Sequence, residues 1–192
     1  MAKRGERKLQ ILQTLAQMLE APAGGKITTA ALAARIDVSE AALYRHFASK
    51  AQMYEGLIEF IENTLFGLIN KITTEEKDPL KQIESIVAML LAFSQKNRGM
   101  TRVLIGDALV HENQRLQLRI NQLHERVEAT LKQALRFAAT QAVPAESGDA
   151  TARANLIMSF VTGRWHQYAK SGFTRDPMQY WQEQWQPLLP LQ

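Results

Sequence analysis

The chain has 192 residues, room for one large domain or two small ones. Hydrophobic residues make up 46%, enough to bury a core, and Cys is absent, which excludes disulfides and thiolate metal sites. The net charge is +4. All of it lies in residues 1–50, where eight Lys and Arg outnumber four Asp and Glu, while the remainder carries 15 of each sign.

That asymmetry predicts a polyanion-binding N-terminal module on a neutral body. The basic start, "MAKRGERKLQILQTLAQMLE", spaces its apolar residues on one face and lacks the continuous apolar run of a secretion signal. No stretch approaches the ~18 apolar residues of a membrane span. Lack of Cys is compatible with a reducing, intracellular setting.

In chain order almost everything reads helical. Leu9, Leu12, Leu15, Ala16 and Leu19 trace a first helical face. "APAGGK" (Ala21 to Lys26) stops it with Pro and paired Gly. Thr28 or Thr29 caps a second helix carrying Leu32, Ala33 and Ile36. Asp37 and Val38 form a short turn. Ser39 caps a third helix, with Ala42 at the position a capping box gives to Glu. Ser49 caps a fourth, from about Lys50 to Lys71, with Met53, Leu57, Phe60, Ile61, Leu65 and Leu68 inward.

"TTEEKDP" ends it. A helix resumes from about Leu80 to Gln95, "KNRGM" (Lys96 to Met100) reads as a turn ending on Gly, and a short helix runs from Thr101 to about Leu109. Within 113–139, Leu116, Ile120, Leu123, Val127, Thr130 and Ala134 alternate steps of four and three, a heptad seam backed by Leu131 and Leu135. "TQAVPAESGD" is the most loop-like stretch. A helix from about Ala150 to Ser171 and a shorter one from Pro177 to about Pro187 complete an all-α chain.

Two short helices joined by "IDVS" make a helix-turn-helix over residues 28–47. Ala30, Ala33, Ala34, Ala41 and Ala42 are small enough for a close crossing, and Leu32, Ile36, Val38, Leu43 and Phe47 fill the small core. The second helix is short enough to enter the major groove of B-DNA. Thr28, Thr29, Tyr44, His46 and Lys50 suit phosphate oxygens, which orient the protein without reading sequence. Ser39, Glu40, Ala41 and Arg45 are better placed for base edges, Arg45 on guanine and the Ala41 methyl on thymine. Lys3, Arg4, Arg7 and Lys8 offer further backbone or minor-groove contacts from a flexible arm.

"TTAALAARIDVSEAALYRHFASK" resembles the DNA-binding module of the TetR family, through the paired Thr, the Ala-rich helix, the "VS" turn and "LYRHFASK". "LIEFIE", "TRVLIGDALVHE" and "RLQLRINQLHERVEATLKQALR" extend the likeness nearly end to end to the nucleoid occlusion branch of that family. The resemblance implies an N-terminal DNA-binding domain (1–50) and a helical dimerisation and partner-binding domain (51–192). It implies a homodimer, or a higher-order assembly on double-stranded DNA, in the nucleoid of the cytoplasm. There it would block assembly of the tubulin-like division GTPase, FtsZ, over the chromosome. It also points to a groove on the body for that partner.

The residues offer candidates. Phe60, Met89, Lys96, Asn97 and Arg98 combine an aromatic and a Met with cationic neighbours, suited to a short, acidic, partly apolar tail. Plain core packing is the alternative for Phe60 and Met89. The seam and the Ala150–Ser171 helix are the dimerisation candidates, with intramolecular packing as the alternative. His46, His111, His124 and His166 show no metal-ligand spacing, and no nucleophile, Walker or dinucleotide motif occurs, so neither an enzyme nor a cofactor is expected. Trp165, Trp181 and Trp185 read as core glue or as cavity lining. The rival function is a ligand-responsive transcriptional repressor, which needs an enclosed, mostly apolar pocket.

Overall fold

The computed structural model describes residues 4–21, 27–141 and 149–188. Lys3, Lys26, the Gly pair and most of the loop expected at 140–149 lie outside them. The described residues are helical: α1 (Arg4–Leu19), α2 (Thr29–Arg35), α3 (Glu40–Tyr44), α4 (Lys50–Glu75), α5 (Pro79–Lys96), α6 (Arg98–Leu104), a 3-10 turn (Asp107–Leu109), α7 (Gln114–Gln141), α8 (Ala150–Lys170) and α9 (Trp181–Leu188). No strand occurs among the described residues. They form two interleaved compact units, Met1–Glu62 with Asn97–Ile120, and Asn63–Lys96 with Asn121–Gln192. The unit holding the helix-turn-helix therefore runs past residue 50 and takes in α6 and the start of α7.

In the first unit, α1 packs on α6 and α2, and α2 on α3. The inward row of α1 is Ile11, Leu15 and Leu19, joined by Ala16, while Leu9 is exposed. Leu9 starts a different i, i+4 row, which corrects the expected face. "KNRGM" is not a turn: Arg98 opens α6, and Gly99 and Met100 are buried within it. Gly99 is there for close approach, because a Cβ at this position would overlap the Ala16 carbonyl. α6 ends before Gly106, whose φ of 77° turns the chain into the 3-10 segment.

Along α4, Met53, Tyr54, Leu57, Ile58, Ile61, Leu65 and Ile69 are buried, whereas Phe60 and Leu68 are 36% and 39% exposed. Phe60 and Leu68 were expected inward; the apolar stripe instead follows the Ile58 row. On α7, Leu116, Ile120, Leu123, Val127, Leu131, Ala134 and Leu135 are buried within one chain, and Thr130 is only half-buried. A strict heptad puts Thr130 inside. At 3.6 residues per turn, the position four after Val127, Leu131, falls nearer the buried face than the position three after it. The seam thus serves intramolecular packing.

In the second unit, α5 packs on α8. Trp165 is fully buried, and its indole N–H donates to the Leu90 carbonyl at 3.1 Å. The Tyr168 hydroxyl donates to the Gln95 carbonyl at 3.0 Å. Both bonds use carbonyls in the C-terminal half of α5. The terminal helix starts at Trp181 rather than Pro177, after Tyr180 at φ 61°. Trp181 and Trp185 are buried with ring centroids 5.2 Å apart, so they glue α9 to this unit.

Candidate nucleic-acid interface

Two capping hydroxyls build the helix-turn-helix. Thr28 Oγ1 accepts the Ala31 N–H at 3.1 Å and opens α2. Ser39 Oγ accepts the Ala42 N–H at 3.2 Å and opens α3. The Ala31 amide is one that a helix start leaves without an intrahelical partner, whereas the Ala42 amide also reaches the Ser39 carbonyl at 2.9 Å. Between them Asp37 takes a left-handed φ of 53°, a conformation Asp tolerates better than most residues. The Asp37 and Val38 amides return to the carbonyls of Ala34 and Ala33. Leu32, Ala33, Ile36, Leu43 and Phe47 are buried beneath, with Val38 and Ala42 half-buried. Ala30, Ala34 and Ala41 are exposed, so of the five Ala residues expected at the crossing only Ala33 and Ala42 face inward.

This core turns an exposed edge outward. Ser39, Glu40, Ala41, Tyr44 and Arg45 are exposed on or flanking α3, and Thr28 is exposed at the start of α2. Two of these side chains, Glu40 and Tyr44, are coupled through half-buried Thr29. The Thr29 hydroxyl donates to Glu40 Oε2 at 2.5 Å, and the Tyr44 hydroxyl donates to Thr29 Oγ1 at 3.4 Å. Thr29 thereby ties the first helix to the exposed edge of the second, an arrangement that residue types and spacing alone did not reveal.

Arg45 and half-buried His46 border a cleft of about 150 Å³, closed on the α1 side by Arg7 and Ile11 and floored by Ile36, Val38, Ala42 and Leu43. Arg7 and Lys8 lie within α1 rather than on a flexible arm, and Lys8 extends over the Phe47 ring, 5.4 Å from its centroid. Lys50, expected at phosphate, is ion-paired with Glu112 in the segment before α7. Nothing local in the sequence signals that pair, because its members are 62 residues apart.

The other candidates divide between the two units. Phe60 on α4, half-buried Asn97 before α6 and exposed Arg98 within it belong to the first. Half-buried Met89 and exposed Lys96, both on α5, belong to the second. Among the described residues, no three His, Cys, Asp or Glu side chains converge on a metal-sized site, and no helix is long and apolar enough to cross a membrane.

The tetR family of bacterial regulatory proteins matches residues 11–57, and the SlmA-like family described as "Tetracyclin repressor-like, C-terminal domain" matches residues 77–191. The chain is 51% identical over 183 residues to the nucleoid occlusion factor SlmA of Alteromonas mediterranea, spanning 95% of this chain and 94% of that protein. It is 49% identical over 179 residues to the SlmA of Shewanella oneidensis, spanning 93% and 91%. Among solved structures, the fatty acid degradation regulator FadR from Bacillus halodurans superposes with a TM-score of 0.80 at 15% identity, over 98% of this chain and 97% of that one. FadR from Bacillus subtilis in complex with stearoyl-CoA gives 0.76 at 12% identity, over 94% and 96%. At such identities these two show the shared fold alone. The chain belongs to the TetR family of bacterial regulatory proteins and, within it, to the SlmA nucleoid occlusion factors.

Proposed function

We propose that a dimer of this chain binds specific chromosomal sites and, from the nucleoid, restrains assembly of the division GTPase FtsZ, so that no septum forms over DNA. The observation that carries the DNA half is the exposed edge of α3, with Ala41, Tyr44 and Arg45 held outward by a packed core and two N-caps. Ser39, Glu40, Ala41 and Arg45 read base edges. Thr28, Thr29, Tyr44, His46 and, once released from Glu112, Lys50 hold phosphates. Two copies in a dimer address half-sites one helical turn, about 34 Å, or a multiple of it apart. The exposed face of α8, which includes Leu156, is the candidate dimer face, since the α7 seam is occupied within the chain.

The division half rests on kinship with proteins named nucleoid occlusion factors. Phe60, Asn97 and Arg98, and separately Met89 and Lys96, are the residues to substitute singly for that contact. Sedimentation of FtsZ polymers with the protein, with and without its specific duplex, tests the reading. DNA-enhanced loss of polymer supports it; unchanged polymer at every ratio sinks it.

A ligand-responsive repressor is the second reading. A cleft of about 350 Å³ within the second unit favours it, between Ile69, Asn70 and Thr73 on α4, Gln82 on α5, and Thr130, Gln133 and Phe137 on α7. Its lining mixes amides and hydroxyls with the apolar Ile69, Ala134 and Phe137, where small-molecule effectors usually occupy a mostly apolar enclosure with a few polar groups. Release of DNA by a small molecule would favour this reading over the first.

A further inference from the structure

Lys50 is the first residue of α4, where the positive end of the helix dipole disfavours a cation. Glu112 supplies the compensating charge. It lies in a bend between the 3-10 turn and α7, where its N–H donates to the Leu109 carbonyl at 2.9 Å. The two side chains form an ion pair while only 21% and 12% exposed. One turn along α4, the Tyr54 ring backs the ammonium at 5.7 Å from its centroid. Tyr54 is buried. Its phenol ionisation is pushed up, first by burial and then by the Glu112 charge. A pair so shielded is screened less by salt than a surface pair and is costly to leave half-made.

We propose that Glu112 is a built-in competitor for duplex phosphate. It holds Lys50 in reserve, and a duplex takes the lysine over only when docked closely enough to displace the carboxylate. Loosely held, non-cognate DNA gains nothing from Lys50, so Glu112 widens the gap between specific and non-specific binding. This rests on the reading that the chain binds duplex DNA through its helix-turn-helix.

The test uses the full chain, one duplex selected from random sequence by the wild type, and one scrambled duplex, titrated from 50 to 200 mM salt. Glu112→Gln should tighten binding to the scrambled duplex several-fold at low salt. It should also steepen the logarithmic salt dependence there by about one per subunit, because one more cation now displaces counterions. The ratio of specific to scrambled affinity should fall. The same substitution in a Lys50→Met background should produce no such gain. Thermal unfolding checks that each variant folds. If Glu112→Gln does not fold, Glu112→Asp, which shortens the reach, should shift the scrambled duplex in the same direction. An unchanged salt slope and specificity ratio, or a gain that persists without Lys50, overturns the proposal. Wild type that binds neither duplex at 50 mM salt instead overturns the DNA reading itself.

Discussion

Gly99 on α6 lies so close to the Ala16 carbonyl on α1 that a Cβ would overlap it, with the Leu19 Cβ a further 3.2 Å contact. The obstacle is backbone, which cannot rotate aside. Gly99→Ala must therefore push α6 off α1, at about 1–3 kcal/mol, the usual range for overpacking. Denaturant unfolding should show this as a lower midpoint with an unchanged slope. Since α1 also borders the Arg45 cleft, DNA binding should weaken alongside stability.

The two capping hydroxyls can be separated from any contact they make with DNA. Ser39→Ala and Thr28→Ala should each lower stability by about 0.5–2 kcal/mol, because an amide at the helix start loses its side-chain acceptor; Ser39→Ala should fall toward the lower end, since the Ala42 amide keeps the Ser39 carbonyl. Ser39→Asp keeps the cap and adds a negative charge at the exposed edge of α3. Its melting temperature should match wild type while affinity for every duplex falls. Equal loss of stability in Ser39→Asp would show that the cap geometry requires a hydroxyl.

Burial of Tyr54 has an alkaline consequence. Its folded-state pKa is raised above the ordinary tyrosine value, chiefly by desolvation. The folded state therefore keeps a proton that the unfolded chain gives up near pH 10. The associated stability is fully present below that pH and is lost as pH rises beyond it. Melting temperatures measured from pH 8 to 11 should fall more steeply for wild type than for Tyr54→Phe, which keeps the ring beneath Lys50. Parallel curves would contradict this origin.

Much of the fold was legible in the sequence because its signals are local. Thr28 and Ser39 precede apolar-periodic runs, and both prove to be caps. The break at "TTEEKDP" places the next helix at about Leu80, one residue from the start of α5 at Pro79. The misreadings share a cause: they turn on what another segment does. Gly99 reads as a turn residue until α1 is seen against it. Thr130 completes a heptad on paper, but the helix buries Leu131. Phe60 and Leu68 fit an inward stripe until Ile58 and Ile69 occupy it. In the candidate interface, the exposed edge of α3 follows from the helix-turn-helix pattern. Capture of Lys50 by Glu112 and of Glu40 by Thr29 depends on folding and has no signature in residue types.

The most direct measurement concerns Arg45, the exposed cation at the end of α3. Wild type and Arg45→Ala would be titrated against the selected duplex and every single-base variant of it. Arg45→Ala should lose about 1–3 kcal/mol on the selected duplex and discriminate poorly at one guanine position, leaving preferences elsewhere intact. Uniform loss across all duplexes, with discrimination preserved at every position, would place Arg45 on phosphate and contradict base reading by this helix.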